Sequence, residues 1–310
     1  MVKLNILWKT LTITKNPIAV LSMKHGNRRE SVTFRNGLMF NLTWPQFRVF
    51  RDSYSVLTEY SVVQLDDDLF RIKDQESTVV CSAQLMPLVC DLMRDFAVNQ
   101  TEKDTFFVKK GNFQVVGSAG ILVCVRELRA GEYDCDFQGK VVLDIGGFEG
   151  DSAAYFWSRN ARKIIIYEPV EEHTQWIKKN IDLNKINAEV HQAGIGTKNG
   201  TKTIQYEEAD IGFGLLNQGS KNMEIEIRDV SEVIQESGAD IAKFDCEGAE
   251  ESLVDLPAEI LRKIDIYLVE VHSQEVREAI LEKFTEAGFK LEEERCKSRF
   301  SILRFKRIDQ

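Results

Sequence analysis

The sequence has no long hydrophobic run. Its apolar stretches are as short as Gly120–Val125 (GILVCV), far from the ~18 consecutive apolar residues of a membrane-spanning helix. No transmembrane segment is expected. The N-terminus lacks an apolar stretch followed by a small-residue cleavage site, so no secretory signal is expected either. Six cysteines, at 81, 90, 124, 135, 246 and 296, include no CxxC pair and no Cys/His cluster at zinc spacing. They read as reduced thiols of a cytoplasmic protein. Positive charge is also in deficit. The 40 Lys and Arg stand against 49 Asp and Glu, a net charge of −9, which argues against a general nucleic-acid binder. There is no internal repeat and no low-complexity tract.

What is present suits a globular chain. The 310 residues are 43% hydrophobic and 29% charged, enough for a large core and for about two domains of ~100–200 residues. Charge is unevenly spread: residues 1–51 hold nine Lys and Arg and one acid, Glu30. Leu4, Leu7, Trp8 and Leu11 form one helical stripe in that segment. The stripe would dock on the body of the protein or on a second subunit, or lie peripherally on a membrane surface. Asn16-Pro17 breaks it and opens a second short helix. Asn36-Gly37 predicts a tight hairpin joining Val32–Arg35 to Leu38–Leu42. A helix is expected from Pro45, a hairpin over 60–72, a helix over 83–97 and strands over 105–126. Residues 1–137 therefore read as a small α+β region serving substrate binding, lid or oligomerisation.

From residue 138 to 310 apolar runs alternate with helical patterns, the signature of a parallel α/β sheet. Strands are expected at Val141–Asp144, Lys163–Glu168, Glu189–Ala193, Asp240–Asp245 and Asp265–His272. Helices are expected at 150–159, 170–183, 247–255 and 275–287. Lys290–Cys296 and Arg299–Phe305 close the chain as an antiparallel hairpin. This is the plan of a Rossmann-like class I methyltransferase domain.

Four segments carry chemistry. In Val142–Asp151 a strand runs into a glycine-rich turn, where small residues let the backbone approach a ligand. Glu149 and Asp151 would repel a pyrophosphate at the helix start, and Asp144 instead suits a cationic methionyl group. In the second segment Glu168-Pro169 ends the next strand, 24 positions after Asp144, where an acid can accept both ribose hydroxyls of a nucleoside. In the third, Asp245 and Glu247 stand at the end of the fourth strand, where open α/β sheets bind ligands. Lys243 lies on the same strand face as Asp245. The fourth segment, Tyr267–His272, ends in one of only four histidines, a residue able to take a proton near neutral pH.

Together these segments resemble the FkbM family of S-adenosyl-L-methionine-dependent methyltransferases over residues 138–290. The resemblance rests on DIGGFEGD at 144–151, YEP at 167–169, IAKFDCEGAE at 241–250 and VEVH at 269–272. Lys243, Asp245, Glu247, Gly248 and Glu250 match the family's Lys-x-Asp-x-Glu-Gly-x-Glu motif throughout. Phe148 stands where the family usually has Asn. The resemblance implies O-methylation of a hydroxyl on a small molecule, a sugar or a lipid-linked glycan. In this reading Asp144, Gly146, Gly147, Glu149, Gly150 and Asp151 hold the methionyl part of the cofactor, together with Asp245. Glu168 and Pro169 hold the ribose, and Ala193 and Gly194 border the adenine. His272 is the expected general base, Asp245 orients it or the acceptor, and Glu247 is the second candidate base. A divalent metal spanning Asp245, Glu247 and His272 is left open by their spacing. Two other readings compete. The basic N-terminus favours an RNA methyltransferase, although Asp245-Cys246-Glu247-Gly248 replaces the [DNS]PP[YFW] tetrapeptide of base-amino methylation. The other is a cofactor-binding module without activity.

Overall fold

The computed structural model describes residues 9–23, 28–206, 221–246, 248–296 and 300–308. The chain divides into two compact units, Met1–Lys110 and Gly111–Gln310. Residues 111–137, grouped with the N-terminal region on sequence grounds, thus cluster with the second unit.

The first unit opens with helix α1 (Pro17–Ser22), which starts at Asn16-Pro17. Strands β1 (Glu30–Thr33) and β2 (Met39–Leu42) pair antiparallel around Asn36-Gly37, as expected. Helix α2 (Trp44–Leu57) presents Phe47 and Phe50 to the interior. Phe50 packs 4.9 Å from Phe40 and 5.0 Å from Phe70, which ties the hairpin and the helix to the next sheet. That sheet holds β3 (Ser61–Asp66), β4 (Leu69–Lys73), β5 (Thr78–Cys81), β6 (Ala97–Glu102) and β7 (Thr105–Lys110) in that order, with α3 (Met86–Met93) between β5 and β6. Leu4, Leu7 and Trp8 lie outside the described residues, and Leu11 is exposed.

The second unit begins with β8 (Phe113–Gly117) and α4 (Gly120–Arg129). The helix corrects the expectation of strands throughout 105–126. Ile121, Leu122, Val125 and Leu128 are its buried positions, a 3–4 spacing that a short apolar run such as GILVCV hides. The main sheet follows with β9 (Val141–Ile145), β10 (Lys163–Tyr167) and β11 (Ala188–His191). Helices α5 (Asp151–Ser158) and α6 (Glu171–Asn184) are the crossovers between these strands. A small sheet of β12 (Gly194–Gly196), β13 (Gly200–Tyr206) and β14 (Lys221–Asp229) comes next, in the order β12-β14-β13. Between β13 and β14 the chain passes through residues 207–220, including Gly212-Phe213-Gly214, which lie outside the described residues.

The chain returns through α7 (Val230–Ser237), β15 (Ile241–Phe244), α8 (Ala258–Leu261), β16 (Ile266–Val271), α9 (Gln274–Glu286), β17 (Phe289–Cys296) and β18 (Ser301–Arg307). Helix α7 was not anticipated. Its cap is nonetheless plain: Asp229 accepts the Ser231 N–H at 2.7 Å. The expected helix over 247–255 is a 3-10 turn, Ala249–Leu253.

The seven-stranded order is β11-β10-β9-β15-β16-β18-β17. Strands β9, β10, β11, β15 and β16 run parallel, and β18 pairs antiparallel with both β16 and β17. This is the Rossmann-like class I methyltransferase order. Strand β9 is fully buried and has β10 on one side and β15 on the other. The chain reverses its build direction there, and the crevice at the carboxyl ends of such strands is where open α/β sheets bind ligands. Among the described residues no helix is long and apolar enough to cross a membrane.

Candidate functional site

The turn after β9 is built by close approach. Gly146 has φ +80, and a Cβ there would sit 1.8 Å from the Asp245 carbonyl oxygen, so only glycine fits. Its N–H donates to Tyr167 O at 2.9 Å. This ties the ends of β9, β10 and β15 together. Phe148 also lies in the left-handed region, at φ 43. Asparagine tolerates that region better than phenylalanine, and Phe148 stands where the resembled family usually has Asn. The Phe148 N–H donates to Glu168 Oε2 at 3.0 Å, the Val170 N–H donates to Glu168 Oε1 at 3.0 Å, and His173 Nδ1 lies 3.2 Å from Oε1. Glu168 is 5% exposed. Two main-chain donors give so buried a carboxyl group the hydrogen-bond partners that burial demands.

Asp144 behaves differently. It is fully buried, accepts the Ser152 hydroxyl at 2.5 Å and pairs with Lys243 Nζ at 3.2 Å. Burial raises its pKa, opposed by Lys243 and Ser152. Glu149 is likewise turned away from the crevice. Its Oε2 accepts the Ser118 N–H at 2.8 Å, and its carbonyl oxygen accepts Asn180 Nδ2 at 2.8 Å. Asp151 is buried behind the turn, and burial pushes its pKa up to about 8, with Lys243 opposing and Asp144 adding. These three acids build the turn from behind.

Lys243 links this layer to the next strand. Its ammonium donates to Gly146 O at 2.8 Å and lies 3.5 Å from Asp245 Oδ2. Burial works against its charge, but Asp144, Asp245 and Asp151 outweigh burial and raise its pKa.

At the ends of β15 and β16 a second acidic group assembles. The Tyr133 hydroxyl lies 3.0 Å from Asp245 Oδ2 and 2.9 Å from Glu270 Oε2. Glu270 Oε1 lies 3.3 Å from His272 Nε2, and His272 Nδ1 lies 3.1 Å from Glu250 Oε1. Glu250 is almost wholly buried, and its Oε2 accepts the Gly248 N–H at 2.7 Å. Burial, then Asp245, pushes the Glu270 pKa up to about 7 against the hydrogen bonds from His272 and Tyr133. Burial, Asp245 and Glu270 push the Tyr133 phenol well above its ordinary range, so it remains a neutral donor. Cys246 is also raised well above the usual thiol range by burial, Glu250 and Asp245. A thiol held neutral in this way is a poor nucleophile.

The two regions face one cavity of about 260 Å³. Gly146, Glu168, Pro169, Ala193, Gly194 and Asp245, all expected at a binding site, line it. Asp144, Gly147, Glu149, Gly150 and Asp151 do not. They support the turn, and the acids on the wall are Glu127, Glu168, Asp245 and Glu270. His272 stands behind Glu270, with both ring nitrogens against carboxylates. Glu247 lies outside the described residues. The apolar wall comes from Ile145, Tyr167 and Ile195 and from Ile204, Ile225 and Ile227 of the small sheet.

Sequence reasoning assigned no role to Glu270, Tyr133, Glu127 or Cys124. Glu270 was within reach, because strand alternation puts it on the His272 face. Tyr133 carries no such signal, since only the fold brings it to Asp245.

No family model matches the chain, and no curated protein sequence does. Solved structures similar to it include a Streptococcus mutans protein provisionally assigned as a SAM-dependent methyltransferase. It is 9% identical, with 97% of this chain and 96% of that one covered and a TM-score of 0.48. Ribosomal protein L11 methylase of Lactobacillus delbrueckii subsp. bulgaricus is 14% identical over 59% of this chain and 77% of its own, with a TM-score of 0.39. A precorrin-6y methyltransferase of Geobacter metallireducens is 11% identical over 59% and 88%, with a TM-score of 0.40. At this level of likeness, function has to be read from the strand order and the cavity themselves.

Proposed function

We propose that the chain is an S-adenosyl-L-methionine-dependent O-methyltransferase, resembling the FkbM family, acting on a hydroxyl of a small molecule, sugar or lipid-linked glycan. One observation carries the reading: Glu168, at the end of β10, is buried on the cavity wall and fixed by the N–H groups of Phe148 and Val170. Each main-chain donor occupies one lone pair, and among the described contacts Oε2 takes no other. A ribose hydroxyl is the donor such an acid accepts. The apolar wall of Ile145, Tyr167 and Ile195, with Ala193 and Gly194, suits a flat base. The acids on the wall suit the sulfonium charge.

The cofactor supplies an electrophilic methyl group. The chain supplies alignment and exclusion of water. Glu168 fixes the nucleoside end, Gly146 and Asp245 border the methionyl end, and the Asp245–Glu270 end receives the acceptor hydroxyl. His272 orients Glu270 from behind. The six free thiols support a cytoplasmic, reducing location, and the unit spanning Met1–Lys110 is proposed to bind the acceptor or a second subunit.

Calorimetric titration with S-adenosylhomocysteine tests this. Wild type should bind one equivalent, and Glu168→Ala should weaken binding at least ~10-fold by removing two hydroxyl acceptors, about 1.4 kcal/mol. A folded wild type that does not bind would overturn the methyltransferase reading.

A further inference from the structure

The structure assigns a divalent-cation site to Asp245, Glu270 and His272, at the acidic end of the cavity. One ligand atom from each residue lies within 4.8 Å of the others, and they are the described group that could hold an ion. His272 Nε2 and Glu270 Oε1 are 3.3 Å apart. Neighbouring ligands about 2.1 Å from an octahedral ion stand roughly 3 Å from each other and opposite ones roughly 4 Å, so an ion needs only small side-chain shifts here. Two carboxylates and an imidazole suit Mg²⁺, Mn²⁺ or Zn²⁺.

The surroundings are a further observation, because other side chains back each ligand. His272 Nδ1 is held by Glu250, itself buried and fixed by the Gly248 N–H. A carboxylate on the second ring nitrogen is what orients a metal-binding histidine. Asp245 Oδ2 contacts Tyr133 and Lys243, and Glu270 Oε2 contacts Tyr133. Glu270 Oε1 and His272 Nε2 already face each other at 3.3 Å, and an ion would take the place of that contact with Asp245 as the third ligand. The one Tyr133 proton serves two carboxylates. Three carboxylates thus converge around one histidine and one lysine, an excess of negative charge that a cation relieves. Asp245 and Glu270 are both on the cavity wall, so the ion would keep open positions for a ligand. If the methyltransferase reading holds, that ligand is the acceptor oxygen. The ion lowers the pKa of its hydroxyl, the proton leaves to solvent, and the oxygen–methyl bond forms as the methyl–sulfur bond breaks.

The test uses the full chain freed of metal by chelator and titrated with Mn²⁺, followed by calorimetry and by loss of the free-ion paramagnetic resonance signal, and in a parallel sample with Zn²⁺, followed by calorimetry. Mn²⁺ reports oxygen-rich Mg²⁺ sites as well as its own. One ion should bind per chain. Glu270→Gln and His272→Gln should weaken binding at least ~10-fold, and Glu250→Gln ~10–100-fold. If circular dichroism shows one of these misfolded, His272→Asn takes its place. Absence of Mn²⁺ and Zn²⁺ binding to wild type overturns the site, as does binding that Glu270→Gln and the histidine variant leave unchanged. S-adenosylhomocysteine titration of the same samples keeps the two proposals apart. Cation binding without nucleoside binding sinks only the methyltransferase reading, and the reverse sinks only the cation site.

Discussion

Glu168 and Asp245 flank the same strand, one after β10 and the other after β15, and both reach the same cavity. They are held by different means. Glu168 takes main-chain N–H groups 20 and 2 residues away. Asp245 takes the Tyr133 hydroxyl, 112 residues away, and the Lys243 ammonium. The first clamp is made of main-chain groups in the turns after two neighbouring strands, β9 and β10, and depends little on distant side chains. The second exists only when several elements are packed, so it is the more sensitive to substitution and the more adaptable in what it binds.

The largest test of that contrast is Lys243→Met. Lys243 is the cation between Asp144 and Asp245, and removing one partner of a buried ion pair costs about 3–5 kcal/mol. Urea unfolding should show a loss of that order, and Asp144→Asn in the same chain should recover part of it. A loss below about 1 kcal/mol would mean that Asp144 is neutral and that the layer behind the turn is not ionic.

Gly146→Ala probes the turn itself. The new Cβ meets the Asp245 carbonyl, and the residue also needs a positive φ, so a loss of at least about 2 kcal/mol is expected. Gly139→Ala supplies the comparison. It shares the positive φ, at +71, but nothing lies within 4 Å of its Cβ, so it should cost only about 1–2 kcal/mol. Equal losses in thermal or urea unfolding would show that close approach to β15 does not matter.

The smallest expected change, taken one pH step at a time, is in the pH dependence. Asp151 holds its proton up to about pH 8 when folded, against 3.8 for an ordinary aspartate. A raised folded pKa means that the folded chain binds the proton more tightly. Its contribution to stability is therefore full below about pH 4 and is lost as pH rises through 8. Burial is the main cause. Asp144 and Glu149 add to it, and Lys243 opposes it. Stabilities of wild type and Asp151→Asn from urea unfolding should diverge between about pH 5 and 8, the variant gaining on wild type by at most about 1.4 kcal/mol per pH step of one. Parallel curves would place Asp151 in a wetter environment than its burial implies.

Much of the second unit was legible in the sequence. Strands of a buried parallel sheet are continuous apolar runs, and β9, β10, β15 and β16 stand within a residue or two of where those runs put them. The hairpin at Asn36-Gly37 was legible because its turn chemistry is local. The helix α4 was not, since a six-residue apolar run has no readable period. Nor was the division of labour among the acids of DIGGFEGD. Spacing shows that Asp144, Glu149 and Asp151 belong to one turn, but not which side of it each carboxylate takes.

The sequence by itself determined the strand order's raw material, the glycine turn and the place of Glu168 at a strand end. Each depends on residues close enough in the chain for periodicity and turn chemistry to specify them. The tertiary structure decided that Asp144 belongs to Lys243, that Glu270 reaches the cavity wall with His272 behind it, and that Tyr133 joins Asp245 to Glu270. The Tyr133 contacts to Asp245 and Glu270 cross 112 and 137 positions of chain. Only packing sets such distances, and a buried charge takes whichever partner packing brings within reach.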